Sequence, residues 1–123
     1  MAQHNDTGRL GEQLAKAHLE ALGYEILDEN WTHGKAEVDL VAYKDKTIIF
    51  VEVKARSGNF FGEPEDFVDN RKQKLLAEAA DEYIYLMNHQ GEARFDIVSI
   101  LFDSKQNHTL KHIEDAFWPS SPI

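Results

Sequence analysis

The sequence predicts a mixed α/β protein in which helices cover a central sheet, with the element order α-β-β-β-α-β-β. Two stretches repeat apolar residues at helical spacing, one near the N-terminus and one after residue 70. Five shorter runs are rich in β-branched and aromatic residues, as is typical of strands. The chain has 123 residues and no internal repeat or linker. We therefore expect one domain, residues 1–123.

The first helix is predicted over about residues 7 to 22. Three suitable N-cap residues stand at its start, Asn5, Asp6 and Thr7. Apolar residues follow at helical spacing, namely Leu10, Leu14, Ala17 and Ala21. Gly23 is placed to cap the C-terminus. The run "YEILDENW" reads as the first strand and "THGK" as a turn.

The stretch "AEVDLVAYKDKTIIFVEVKAR", residues 36–56, predicts two strands joined by a polar turn. If Asp45 and Lys46 form a two-residue turn, Lys44 faces Thr47. Counting outward then places Asp39 opposite Glu52 and Glu37 opposite Lys54. Side chains alternate along a strand, so this register makes one face wholly apolar, with Val38, Leu40 and Ala42 from the first strand.

A glycine-containing loop follows and contains three phenylalanines, Phe60, Phe61 and Phe67. Asn70 with Gln73 resembles a capping box that opens the second helix, which continues to about Met87. The runs "ARFDIVSILF" and "TLKHI" predict two further strands, and "EDAFW" predicts a terminal turn of helix.

Composition limits the function. The chain has no cysteine, which excludes disulfides and thiolate zinc sites, and no apolar run approaches a membrane span. We therefore expect a cytoplasmic protein, with its six scattered histidines on the surface or in the core. The formal charge of −9 disfavours a generic nucleic-acid binder. Residues 32–74, however, hold eight basic and eight acidic side chains, so the charge distribution is compatible with a locally non-repulsive face on an acidic protein.

Two opposed carboxylates about 5 Å apart repel by roughly 3 kcal/mol at an effective dielectric of about 20. Three arrangements offset this cost: one carboxyl stays protonated, Lys54 neutralises the pair, or a divalent cation binds between Asp39 and Glu52. A cation such as Mg²⁺ next to a lysine fits the hydrolysis of phosphodiesters. The structural alternative is that Glu52 and Lys54 form a solvent-exposed pair that contributes little to stability.

Asp39 followed by Glu52-Val53-Lys54 resembles the PD-(D/E)XK nuclease motif of the restriction-endonuclease-like fold. From about Gly8 to Phe117, "GEQLAKAHLEALGYEIL", "AEVDLVA", "IIFVEVKAR", "RKQKL" and "RFDIVSI" resemble the bacterial YraN family of endonuclease-like proteins. Two motif positions depart from the usual pattern, because Val38 stands for proline and Ala36 for glycine.

The resemblance implies a restriction-endonuclease-like core and assigns roles to residues of the hairpin. Asp39 and Glu52 would bind Mg²⁺ or Mn²⁺, with the Val53 carbonyl as a further ligand, Lys54 as the catalytic lysine and Glu12 as an accessory acid. Without the resemblance, Glu12 reads as an exposed helix residue. Glu37 would assist the metal or pair with Lys54.

Two functions follow as alternatives. The first is a metal-dependent nuclease acting on DNA, branched or structured DNA included, in which a homodimer would suit two-fold symmetric junctions. Its phosphate or substrate contacts would come from Lys35, Arg56, Arg71, Lys72, Gln73 and Lys74, although a capping role is sufficient to explain Lys72 and Gln73. The second is a nuclease-like scaffold that binds a partner through Phe60, Phe61 and Phe67, which otherwise pack under their loop.

Overall fold

A computed structural model describes residues 2–58, 68–105 and 107–117. The elements are α1 Ala2–Ala21, β1 Glu25–His33, β2 Ala36–Lys44, β3 Thr47–Ser57, α2 Asn70–Leu86, β4 Glu92–Phe102 and β5 His108–Ile113. The predicted α/β class and the order α-β-β-β-α-β-β are confirmed.

The five strands form one mixed sheet with the spatial order β1-β2-β3-β4-β5. All neighbours are antiparallel except β3 and β4, which are parallel and are connected through α2. Apolar residues pack on both faces of the sheet. The cluster that we call α1-side contains Leu19, Leu40 and Val51, and the α2-side cluster contains Phe50 and Leu76.

The tight turn between β2 and β3 has the predicted two residues. Asp45 and Lys46 both have positive φ, 52° and 64°, as a type I′ hairpin turn requires. Lys44 pairs with Thr47, and the ladder ends at the pair Leu40–Val51. The β1–β2 ladder continues to His33–Ala36, so this hairpin extends beyond the last β2–β3 pair.

The predicted apolar face of β2 is wrong at one position. Leu40 and Ala42 lie in the α1-side cluster, but Val38 lies in the α2-side cluster with Val41. Val38 pairs with Trp31 of β1, which packs against the same cluster. The regular alternation of faces is lost between the pairs Glu29–Leu40 and Trp31–Val38, where Asn30 has a positive φ.

The start and the buried face of α1 differ from the prediction. The helix begins at Ala2, so Asn5, Asp6 and Thr7 are helical residues and not caps. Among residues 7–21, the buried positions are Gly11, Ala15 and Leu19. Of the predicted stripe, Leu14 is half-buried against the α1-side cluster, whereas Leu10 is 45% exposed and Ala17 and Ala21 are also exposed.

Gly11 explains this orientation of α1. A Cβ atom placed there would lie 2.6 Å from the Ala55 Cβ. The helix therefore approaches β3 closely along its glycine side. That contact, which the spacing of leucines does not encode, sets the face that is buried.

Two helix ends also differ. The N-cap of α2 is Asp69, whose carboxylate accepts a hydrogen bond from the Lys72 N–H, while Gln73 donates from its side chain to the Val68 carbonyl. The predicted Asn70 cap is therefore one residue late. After β5, residues 114–117 contain a turn and no helix, and the Ala116 N–H donates to the Phe95 carbonyl of β4. Trp118 of the predicted helical turn lies outside the described residues.

In the described ranges 2–58, 68–105 and 107–117, no helix has the length and apolar character needed to cross a membrane.

Candidate metal and phosphate site

The site lies where β2 and β3 separate beyond the pair Leu40–Val51. The next residue of β2 is Asp39, whose carboxylate accepts a hydrogen bond from the Val53 N–H at 2.8 Å. This side chain therefore replaces a backbone acceptor at the end of the ladder. The contact holds Asp39 beside the Glu52-Val53-Lys54 segment, and the positions predicted to oppose one another, Asp39 with Glu52 and Glu37 with Lys54, lie beyond the paired part of the hairpin.

Asp39 has a strongly perturbed carboxyl group. Burial, followed by the negative charge of Glu52, raises its pKa to about 7, although the hydrogen bond from Val53 favours the ionised form. Glu12 and Glu37 add smaller repulsive contributions. At neutral pH the group is therefore divided between its protonated and ionised forms, and holding it ionised requires nearby positive charge.

Glu52 has a lysine partner from α2. Lys72 Nζ lies 2.6 Å from Glu52 Oε2, and the Glu52 side chain is only 12% exposed. Burial raises the pKa of Glu52, while Lys72 and then Lys54 oppose this rise. The first turn of α2 thus supplies the charge that partly neutralises the carboxyl pair, a contact that the sequence did not predict.

The helical acid Glu12 joins this group through Asn30. With its amide nitrogen directed at the carboxylates, Asn30 donates to Glu12 Oε1 and to Glu37 Oε2, both at 3.3 Å. Burial is the main cause of the raised pKa of Glu12. Asn30 has a φ of 53° within β1, a backbone conformation for which asparagine is enriched. Sequence reasoning missed this residue, because an asparagine among the polar and mostly exposed residues of β1 gives no distinct signal.

The carboxyl groups offer a partial metal site. Among the described residues, no group of three or more histidine, aspartate or glutamate side chains is placed to hold a metal ion. Asp39 and Glu52 are two hard oxygen donors, and Mg²⁺ often binds through one or two carboxylates with water completing its shell. The donor chemistry of this pair therefore fits a hydrated Mg²⁺ or Mn²⁺ ion better than a softer metal.

The other predicted site residues lie on β3, on α2 and in the β1–β2 turn, with different exposure. Lys54 is exposed on β3 and Arg56 is half-buried two residues further on. Arg71 and Lys74 are exposed at the start of α2, and Lys35 is exposed in the β1–β2 turn. Gln73 is bonded to Val68. Phe60, Phe61 and Phe67 fall outside the described residues.

A second polar cluster lies on the α1 side of the sheet. The fully buried Asp96 accepts hydrogen bonds from Arg94, from His112 and from the Asp115 N–H, at 2.8 to 3.0 Å. His112 Nδ1 lies 3.0 Å from His18 Nε2, so the cluster connects α1, β4 and β5. Because the hydrogen bonds outweigh burial, the pKa of Asp96 is lowered. The sequence placed the histidines on the surface or in the core without anticipating this network.

The fold and the site define a small mixed α/β protein with two carboxyls and two lysines at one end of its sheet. Residues 11–100 match the family model described as "Uncharacterised protein family UPF0102". The chain belongs to the UPF0102 family, which confirms the YraN-like relationship expected from the sequence.

Bacterial relatives match over nearly the whole chain. A UPF0102 protein of Flavobacterium psychrophilum is 43% identical over 118 residues, covering 96% of this chain and 98% of its own. One from Bacteroides thetaiotaomicron is 42% identical over 119 residues, covering 97% and 98%. One from Porphyromonas gingivalis is 39% identical over 118 residues, covering 95% and 87%.

Proposed function

We propose that this protein is a metal-dependent nuclease that hydrolyses phosphodiester bonds of DNA, branched or structured DNA included. The observation that carries the proposal is the carboxyl of Asp39, held beside Glu52 with its pKa raised to about 7. Two partly buried carboxyl groups next to each other lower the stability of the fold, because their negative charges repel. Perturbed carboxyls next to specific charge partners are characteristic of functional sites.

Asp39 and Glu52 are the residues that would hold a divalent cation. When bound, the cation would supply polarisation of a phosphoryl oxygen and a more acidic attacking water. The hydrogen bond from Val53 at 2.8 Å orients the Asp39 carboxylate before any ligand arrives. This preorganisation supports a binding role for the pair.

Two lysines supply the remaining charge. Lys54, one residue past Val53, would orient the attacking water or stabilise the negative charge that develops on the phosphoryl group. The attacking water loses one proton as its oxygen bonds to phosphorus, one bond from phosphorus to a sugar oxygen breaks, and that leaving oxygen takes up a proton. Lys72 is held on Glu52 at 2.6 Å, and it would become available to a phosphate once a cation neutralises that carboxylate.

Exposed basic residues near the site would contact the DNA backbone. Arg71 and Lys74 lie at the start of α2, close in sequence to Lys72, and Lys35 lies in the β1–β2 turn. Residues 32–74 carry no net charge, so this segment of the sequence repels DNA less than the rest of an acidic chain.

Cleavage of forked or junction-containing DNA in Mg²⁺ or Mn²⁺ tests the proposal. The wild-type protein should cut, while Asp39→Asn and Lys54→Ala should each lower the rate by at least 100-fold, because removing a metal ligand or one transition-state contact has effects of this order. The Asp39→Asn variant keeps the side-chain acceptor for Val53, so the local backbone should be retained.

Matched controls come from exposed positions. Asp81→Asn removes one exposed carboxylate from α2, and Lys46→Asn removes one lysine from the β2–β3 turn, where asparagine tolerates the positive φ. Both controls should cleave like the wild type. Cleavage that persists in both site variants, or none by the wild type on any DNA, would leave the scaffold function as the better explanation.

A further inference from the structure

Two aromatic rings of β1 stack next to the proposed site. The rings of Trp31 and His33 are nearly parallel, with an interplanar angle of 6° and centroids 6.1 Å apart. Behind them, the edge contact of Trp31 with Tyr83 has an angle of 87° and a centroid distance of 5.0 Å. Tyr83 is buried and donates its hydroxyl to Asp28 at 2.6 Å. The inner end of this stack is therefore fixed by the core.

The outer end of the stack is open to solvent. Trp31 is half-buried against the α2-side cluster, whereas His33 is exposed. The two residues are separated by one position on a strand, so their side chains lie on the same side of β1. That side also contains Phe50, which precedes Glu52 by two positions on β3, and thus the stack and Glu52 share one side of the sheet.

The β1–β2 hairpin extends beyond the last β2–β3 pair, and the Trp31–His33 stack lies on this extension. Trp31 pairs with Val38, the neighbour of Asp39, and His33 pairs with Ala36 near the turn. His33 thus lies two residues, about 7 Å, beyond Trp31 along the strand. This length corresponds to about two nucleotides of a stacked strand at roughly 3.4 Å each. Lys35 follows in the turn and is exposed, so positive charge lies next to the open ring.

We infer that the exposed face of His33, supported by Trp31, stacks on an unpaired base of the DNA strand and makes the protein select DNA with unpaired nucleotides near the cleaved phosphate. The inference rests on the proposed nuclease function. An exposed aromatic ring recognises any base through its face, and a base in an intact duplex has both faces covered by its neighbours. The lysine of the turn would contact the adjacent phosphate without reading sequence.

DNA binding measured in the non-cleaving Asp39→Asn background tests this selection. Two substrates of the same sequence are compared by fluorescence anisotropy, a fully paired duplex and a forked duplex with unpaired arms. His33→Ala should weaken binding of the forked DNA by roughly 5- to 100-fold, the range of a single base–aromatic stack. Binding of the paired duplex should change less than about twofold.

Two further variants keep the test specific. His33→Phe retains a flat ring and should restore forked-DNA binding. Tyr85→Ala removes an aromatic ring that is 79% exposed near the C-terminal end of α2, about 20 Å along the helix from Lys72, and should change neither substrate. The inference is overturned if His33→Ala weakens both substrates equally, if phenylalanine does not restore binding, or if Tyr85→Ala has the same effect.

The proposed function is judged separately by cleavage. If the wild type cuts DNA, Asp39→Asn does not, and His33→Ala retains its preference for forked DNA, the nuclease assignment holds and the base-stacking role is wrong. If the proteins bind neither substrate, the stacking role is wrong, and the cleavage assay alone decides the nuclease assignment.

Discussion

Replacing Asp39 by asparagine should stabilise the protein at alkaline pH. The variant removes a carboxyl whose pKa in the fold is about 7 and keeps an oxygen that can accept the Val53 hydrogen bond. An unperturbed aspartate in the unfolded chain has a pKa of about 3.9. The folded protein therefore binds this proton more tightly than the unfolded chain does.

The sign of the pH effect follows from this difference. Because the pKa of Asp39 is raised by folding, its contribution favours the fold below about pH 4 and is lost as the pH rises through about 7. Three pKa units at 1.36 kcal/mol each set a ceiling of about 4 kcal/mol. Asp39 is half-buried and shares its titration with Glu52, so we expect asparagine to raise the free energy of unfolding by about 1–3 kcal/mol at pH 8.

Urea unfolding in EDTA, followed by circular dichroism at pH 5 and pH 8, measures this gain. The advantage of Asp39→Asn over the wild type should be about one third as large at pH 5 as at pH 8. Asp81→Asn, at an exposed position of α2, should show no such pH-dependent gain. The assignment of a raised pKa to Asp39 would be refuted if Asp39→Asn is no more stable than the wild type at pH 8. It would also be refuted if the gain in the free energy of unfolding is the same at both pH values.

Two further predictions concern the charged partners. Lys72→Met should destabilise the metal-free protein by about 1 kcal/mol at pH 8, because it leaves Glu52 without its partner at 2.6 Å. Millimolar Mn²⁺ should then raise the melting temperature of this variant more than that of the wild type, since the cation no longer competes with a lysine, and an equal or smaller rise would contradict this competition. Asp96→Ala should cost about 3–5 kcal/mol in urea unfolding, because Arg94 and His112 lose a fully buried partner. Because the pKa of Asp96 is lowered in the fold, its contribution to the free energy of unfolding is present above about pH 4 and is lost as the pH falls through the folded pKa. A cost under 1 kcal/mol at pH 7 would show that the Asp96 network is not important for stability.

Much of the local structure could be predicted from neighbouring residues. The two-residue turn at Asp45–Lys46 fixed the register of β2 with β3, because each residue added on one strand has a single partner on the other. The order of helices and strands followed from the spacing of apolar residues and from the glycine and polar residues at the turns between them. These features depend on contacts within a few residues, which a sequence displays directly.

The errors came from packing between distant elements, from the choice between adjacent cap positions and from the end of a strand ladder. The leucine spacing of α1 suggested one buried face, but the approach of Gly11 to Ala55 selected another. The cap of α2 moved by one residue to Asp69, which shows how weakly residue types alone distinguish adjacent cap positions. The alternation of β2 failed at Val38, beyond the end of the β2–β3 ladder.

By itself, the sequence determined the α/β order, the hairpin register from the turn to the pair Leu40–Val51, and the choice of Asp39, Glu52 and Lys54 as candidate residues. The tertiary structure alone decided that Lys72 neutralises Glu52 and that Asn30 joins Glu12 to Glu37. The physical reason is that a hairpin register is set by the turn within it. A charge partner from another helix is set by how the whole sheet and its helices pack, and that packing brings together side chains far apart in the chain.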